Sequence, residues 1–592
     1  MAEDNVAGHS GPKASWPKLF TAFRVALDLK KLLLAAGGIV ATAVGWTVFG
    51  WMFYETAEMP KWGPQYSSSS WQDFRRDRDR WNLLHEMAGT VADKPGNAIK
   101  VDAGDKAGSK EEFNLLEKVR AGDLTVDQLK ADAKSDKLAA AALATYELHL
   151  QKPATKPFGR LRSWPWSEER GPNQYLLAAG LLRKDAEGQR SVPWAPGQFL
   201  RWLLGDQLPV LVEPLMKFMA PIGYFFNSSA GGFRIRLYLI LIILWTLATW
   251  GFFGGAICRI AAVQIARNEK ISMGEAIAFA KEKFLNLFTA PLFPLIFLGI
   301  LTLFLAVFGF IDGYTFWFGD IFLAGLLWPV VLVLGLIMAV VVVGLVGWPL
   351  MNPTIAAEGS DNFDALSRSY SYVYQAFWHY LGYWALALVY GAALVFFIGF
   401  MGSLVVYLGK WGLSQAPLLT SADAGSDREP SYLFMYAPTS FEWRDLLIKD
   451  NHNHVEPPNA DHPNSYEFTK DYVDNHLSIP NKIGAVLVGA WVGLFFLLVV
   501  GFAYSYFWTA STLIYFLMRQ HVDDTELDEV YFEEGDAEPP PSANAPAPPA
   551  PAAKPGTMSL NVVENAPVAA VAPPMPPPTE APPGNPPPAA TP

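Results

Sequence analysis

Cysteine is all but missing: Cys258 stands alone in 592 residues, inside an apolar run. A single thiol excludes a disulfide framework and a cysteine-based metal centre. Charge is scarce too, at 17% of residues while 51% are apolar; a water-soluble protein carries about a quarter charged. The formal net charge of −11 excludes the basic stripe by which proteins track nucleic acid, so no nucleic-acid partner is expected. The chain contains no P-loop, dinucleotide glycine fingerprint, Gly-x-Ser-x-Gly or His-Glu-x-x-His motif. Nothing therefore calls for a cofactor or names a catalytic residue.

What is abundant is uncharged length. Six stretches lack Asp, Glu, Lys and Arg altogether: Leu32–Phe53, Leu237–Cys258, Phe284–Ile311, Ile321–Met351, Tyr380–Leu408 and Ile483–Met518. Each reaches the ~20 residues a helix needs to cross ~30 Å of hydrocarbon. The expected fold is an all-α helical membrane protein with about six transmembrane helices. The first run is too long for a signal-peptide core, and "WMFYETAEMPKW" offers no small-x-small cleavage site, so 32–53 reads as an uncleaved signal anchor. Pro291, Pro294 and Pro329 are candidate kinks, and the pairs Gly251/Gly255 and Gly489/Gly493 fit close helix packing.

Basic residues set the orientation. Lys18, Arg24, Lys30 and Lys31 precede the first run, and Glu55 and Glu58 follow it. Residues 1–31 are therefore expected in the cytoplasm, and six crossings return the C-terminus to the same side of a cell membrane. Arg259, Arg267, Lys270, Lys281 and Lys283 after the second run agree; Arg234, Arg236 and Lys410 oppose. Residues 54–233 then form an extracytoplasmic, mainly helical region, with a Ser109–Glu112 capping box opening one helix. Within it, Arg201, Asp206, Glu213 and Lys217 interrupt "QFLRWLLGDQLPVLVEPLMKFMAPIGYFF", which places that stretch in the membrane interface rather than across it. Residues 234–518 form a five-helix membrane domain with a polar outer loop at 409–481. The tail, 519–592, begins acidic and turns Pro/Ala-rich; with no aromatic after Phe532 it is expected to be disordered.

Two polar segments between spans align at a constant offset of 89: "SMGEAIAFAKEKFLNLF" from Ser272 and "DNFDALSRSYSYVYQAF" from Asp361. Ser272 and Asp361 stand at N-cap positions, and Glu275 and Asp364 supply carboxylates one turn in. Ile-Ala-Ala precedes both, and a short gap is needed to align the two copies of it. The pattern indicates a duplicated span–elbow–span unit, the second elbow carrying an aromatic belt at headgroup depth. These segments, with "GGAICRIAAVQIA" and "AAEGSDNFDALSRSYSYV", resemble uncharacterised bacterial polytopic membrane proteins and, more loosely, the membrane domain attached to some glycerophosphodiester phosphodiesterases. The resemblance covers roughly Arg234–Phe397, and no phosphodiesterase catalytic domain accompanies it. It implies a membrane-embedded, non-catalytic module.

One outer stretch, "DNHNHVEPPNADHP", gathers His452, His454 and His462 beside carboxylates, a donor set that could bind a divalent ion in an extended loop. An exposed polar loop accumulates the same residues without that role. The functional expectation is a non-enzymatic envelope scaffold whose partners are the bilayer and proteins met through the outer region and the Pro-rich tail. A transporter or channel built on the duplicated unit, and an enzyme acting on lipid or envelope substrates, are the alternatives.

Overall fold

A computed structural model describes residues 16–54, 71–78, 107–121, 123–151, 164–168, 170–179, 200, 203–226, 233–314, 319–415, 430–448, 455–456 and 466–531. The elements of interest are α1 (Ala22–Ala26), α2 (Leu29–Tyr54), α3 (Lys110–Ala121), α4 (Val126–Asp132), α5 (Lys137–Gln151), α6 (Gln174–Ala178), α7 (Leu208–Leu211), α8 (Glu213–Phe226), α9 (Phe233–Arg267), α10 (Met273–Glu282), α11 (Phe284–Tyr314), α12 (Trp328–Leu345), α13 (Trp348–Glu358), α14 (Asn362–Gln375), α15 (Phe377–Ser414), α16 (Trp443–Ile448) and α17 (Ile479–Val522). Six of them, α2, α9, α11, α12, α15 and α17, are long and apolar enough to cross a membrane. Among the described residues the protein is all-α apart from one two-residue antiparallel ladder, Val455–Glu456 against Glu467–Phe468.

The helices outrun the uncharged runs, because helical hydrogen bonding does not stop where apolar composition does. The 44 residues of α17 make a rod of about 66 Å at 1.5 Å per residue, twice the hydrocarbon thickness. Its inner half is lined by buried residues from Val500 to Arg519 and forms the axis of the bundle. Helices α2, α9, α13 and α15 pack around it.

The fourth run departs from the expected single helix. It divides into a π-helical turn at Gly319–Leu326, α12, and the separate helix α13. Pro329 and Pro349 each sit in a first turn, where the missing N–H costs nothing. By contrast, α11 runs unbroken through Pro291 and Pro294. Carbonyls at and before the α12–α13 break are taken by the second elbow and the start of α15: Ser369 Oγ donates to Gly347 O at 2.6 Å, Tyr370 to Val341 O at 3.0 Å and Tyr380 to Val346 O at 2.8 Å. Tyr374 donates to Val340 O. These hydroxyls close a broken helix rather than meeting headgroups, which corrects the aromatic-belt reading for them; Trp378, 78% exposed, faces outward. Having no side chain at Gly344 and Gly347 lets α14 approach. Every residue of α13 from Trp348 to Ala357 is buried.

Both elbows are helices, α10 and α14. Each packs its inner face on the helix before it: Ala276 and Ala280 against α9, Ala365 and Ser369 against α13. Asn362 Nδ2 donates to Thr289 Oγ1 at 2.9 Å, and Arg259 Nη1, near the end of α9, donates to Ala356 O near the end of α13 at 3.0 Å. The elbows therefore lie at one end of the bundle. Lys30 Nζ reaches Ile271 O at 2.7 Å, so the start of α2 is at that end as well.

The segment after α17 is there too. Helix α17 continues past Met518 to Val522, and Asp523–Tyr531 is held down. Arg519 donates to the carbonyls of Glu526 and Glu529 at 2.9 and 2.8 Å, Arg259 to Tyr531 O at 2.9 Å, and Tyr531 N–H to Ala357 O at 2.8 Å. Tyr372 donates to Asp523 at 2.5 Å, and the Tyr531 ring lies over Gly359, whose φ of +64° caps α13. The expected tail boundary at 519 is thus too early: the chain divides after Phe532, and 532–592 lies outside the described residues.

Of the region between the first two spans, α3, α4 and α5 share a core of Phe74, Phe113, Leu116, Leu129, Ala139 and Ala142. Ser109 caps α3, but Glu112 turns to Gly108 N–H at 2.8 Å and to Thr145 Oγ1 at 2.5 Å instead of completing a capping box. Segments 164–179 and 203–226 are packed among the spans. Helix α8 lies against α9 with Pro214, Lys217, Phe218, Pro221 and Ile222 buried, and Phe218 stacks on Trp348 at 4.4 Å. The interfacial placement of this stretch is corrected for Glu213 and Lys217, which find partners inside the bundle.

Candidate functional site

The uncharged runs at the heart of the spans contribute no charged group, yet four charged side chains meet between the long helices. Glu213 and Lys217 are one helical turn apart on α8, on a common face. Glu168 and Arg170 come from the turn at 164–171, which is tied in place by Trp166. The Trp166 indole donates to Gly493 O at 3.0 Å, and its carbonyl accepts from Thr439 and Ser440 N–H at 3.0 Å each. The glycine pairs behave differently here: Gly251 and Gly255 admit Leu287 of α11, whereas Gly489 and Gly493 admit Tyr436 and Trp166 from segments between the spans.

Arg170 is the hub, at 3% exposure. Its Nε and Nη2 straddle the Glu213 carboxylate at 2.9 and 3.1 Å, and Nη2 also pairs with Glu168. Its Nη1 donates to Pro165 O at 2.6 Å and Ser440 Oγ at 3.0 Å. Lys217 Nζ donates to both Glu168 oxygens at 2.9 and 3.1 Å and pairs with Glu213 Oε1 at 2.8 Å. Tyr504 of α17 donates to Glu213 Oε1 at 2.9 Å, its ring stacked on Trp250 of α9 at 4.7 Å. Two cations meet two carboxylates, and all four carboxylate oxygens are occupied. Burial pushes the Glu168 carboxyl up, against the pull of Arg170 and Lys217. Burial alone would lower Arg170, but Glu168 and Glu213 outweigh it and hold the guanidinium charged.

A neutral layer extends the cluster. Asn173 caps α6 through Tyr175 and Leu176 N–H, and its amide donates to Ser403 Oγ of α15 at 3.1 Å and Phe441 O at 2.9 Å. Phe441 and Glu442 hold φ of +53° and +52°, a left-handed conformation that costs a bulky residue of order 1 kcal/mol or more. The strained turn presents Ser440 to Arg170 and the Phe441 carbonyl to Asn173.

The residues singled out from sequence lie elsewhere. Ser272 and Glu275 form a reciprocal capping box at 3.1 and 3.0 Å. Asp361 accepts from Asp364 N–H at 2.8 Å, but the Asp364 carboxylate pairs with Arg368 at 3.1 Å instead of returning to the cap. His452, His454 and His462 lie outside the described residues. Among the described residues no three His, Cys, Asp or Glu side chains gather as a metal site would require. The four-charge cluster was missed because its members are separated by up to 49 positions; the one local signal was Glu213 and Lys217 kept a turn apart in an apolar helix.

Compared with protein-family models, curated proteins and solved structures, the chain shows no significant match to any of them.

Proposed function

We propose that this is a non-enzymatic, multi-pass scaffold of the cell membrane, with N- and C-termini cytoplasmic, whose duplicated span–elbow–span unit clamps outer segments into the bundle. The observation that carries it is the occupancy of the cluster: every oxygen of Glu168 and Glu213 already has a donor from this chain. A catalytic acid or base must offer an atom to substrate; these atoms join α8, the 164–171 turn and α17 to one another. The duplication is supported by equivalent burial: Ile260–Ala262 and Ile355–Ala357 are all buried and Ala276/Ala365 and Ala280/Ser369 coincide at the common offset. Protein partners are to be sought at the outer region and the C-terminal tail.

Transport is the second reading. It is favoured by the depth of the cluster, since ionisable groups inside a membrane mark ion paths by default, and by the 78° bend between the helical segments Leu203–Leu211 and Glu213–Phe226. Reconstitution separates the two. In vesicles holding the purified full chain, an imposed pH gradient should decay as it does in protein-free vesicles. Faster decay that Lys217→Met slows would establish transport and end the scaffold reading.

A further inference from the structure

A basin of about 550 Å³ opens at the elbow end of the bundle, where the N-terminal helix meets the exit of α9. Its cationic wall is Arg24, Lys30 and Lys270; its one acid is Asp28, so three positive charges less one leave a balance of +2. Asp28 is occupied as the cap of α2, accepting Lys30 N–H at 3.0 Å. Gln264 closes the floor. The fully buried Lys31 donates to its Oε1 at 3.0 Å, which leaves the amide NH₂ as the donor group of that side chain. Asn268, at φ +58°, ends α9 on the rim and lets the chain double back to Lys270. An adjoining basin shares Arg24, Gln264 and Asn268 with the first and adds Lys18, Glu526 and Asp528, so the two acids lie on the side of Arg24 away from Lys30 and Lys270.

The surroundings are apolar and exposed. Residues 16–26 bury Leu19, Ala22, Val25 and Ala26 while Trp16 and Phe20 stay exposed, an arrangement that lies in the membrane interface. Below the basin, Leu29 and Leu33 of α2 are 59% and 39% exposed. A cationic mouth over an apolar wall matches a molecule with an anionic head and acyl chains. We infer that this basin binds the phosphate of an anionic phospholipid, with Arg24, Lys30, Lys270 and the Gln264 amide around the phosphate and the acyl chains along Leu29 and Leu33. The site is separate from the buried four-charge cluster and does not depend on the scaffold reading.

The test is thermal unfolding of the purified full chain in neutral detergent, titrated with phosphatidylglycerol, phosphatidylcholine or inorganic phosphate. Phosphatidylglycerol should raise the melting temperature saturably and phosphatidylcholine should not. Arg24→Gln and Lys270→Gln should each raise the half-saturating concentration about five-fold. Both side chains are exposed, so the unliganded melting temperature reports that folding survives; Glu269→Gln, off the basin wall, should change nothing. Equal stabilisation by both lipids, or an unaltered response in the two variants, overturns the proposal. Saturation by inorganic phosphate at the same concentration as the lipid would overturn the lipid as its source.

Discussion

Arg170 donates to two carboxylates, a hydroxyl and a carbonyl from a site closed to water. Removing it strands Glu168 and Glu213 with one lysine between them, and an uncompensated buried charge costs about 3–5 kcal/mol. Arg170→Met should therefore lower the detergent melting temperature sharply. Neutralising all four members together, as Glu168→Gln, Arg170→Met, Glu213→Gln and Lys217→Met, should cost less than that single change, because no charge is left unpaired. A quadruple variant worse than the single one would show that the cluster stabilises by net attraction. The glycines of α12 make a second contrast. A Cβ on Gly344 would come within 2.0 Å of the Tyr370 ring, while one on Gly335 meets nothing within 4 Å. Gly344→Ala should destabilise by roughly 1–3 kcal/mol through overpacking; Gly335→Ala should be neutral or stabilising, since alanine is the better helix former.

At the scale of elements, the two elbows share a position and a packing face but not a cap. Helix α10 has the full reciprocal box, Ser272 with Glu275. Helix α14 has the Asp361 half only, and Asp364 is drawn into the chain of Arg368 and Glu358, with Arg368 Nη1 at 3.0 Å from the latter. Ser272→Ala and Asp361→Ala should each cost ~1 kcal/mol of local stability. Hydrogen exchange should rise across Met273–Lys283 in the first and Asn362–Tyr372 in the second, with insertion intact. The second change should stay more local, because Ser369, Tyr370, Tyr374 and Tyr380 still tie the following residues to the α12–α13 break.

At the scale of the molecule, the start of α2, both elbows and Asp523–Tyr531 share one end. Reporters active only outside the cytoplasm should be on when fused at Asp427 and off when fused after Tyr531; the reverse pattern would invert the topology. The same end sets a truncation boundary. Ending the chain after Phe532 should leave the melting temperature unchanged. Ending it after Val522 should lower it, because Arg519 loses the Glu526 and Glu529 carbonyls and Arg259 loses that of Tyr531.

How much of this could be read from the residues follows from the range over which each force acts. Apolar length and cap chemistry are local: twenty uncharged residues must become a helix in lipid, since no other partner exists for their backbone, and Ser272 or Asp361 needs only the next turn to act as a cap. The sequence by itself therefore determined the six long helices and the two elbows between them. It did not determine where α12 stops, because the carbonyls at Val346 and Gly347 are completed by the hydroxyls of Tyr380 and Ser369, 34 and 22 residues further on. Nor did it place Glu168, Arg170, Glu213 and Lys217. Read alone, each charge argues for water; only the tertiary structure decided otherwise, by bringing opposite charges within 3 Å so that burial of all four is tolerated together.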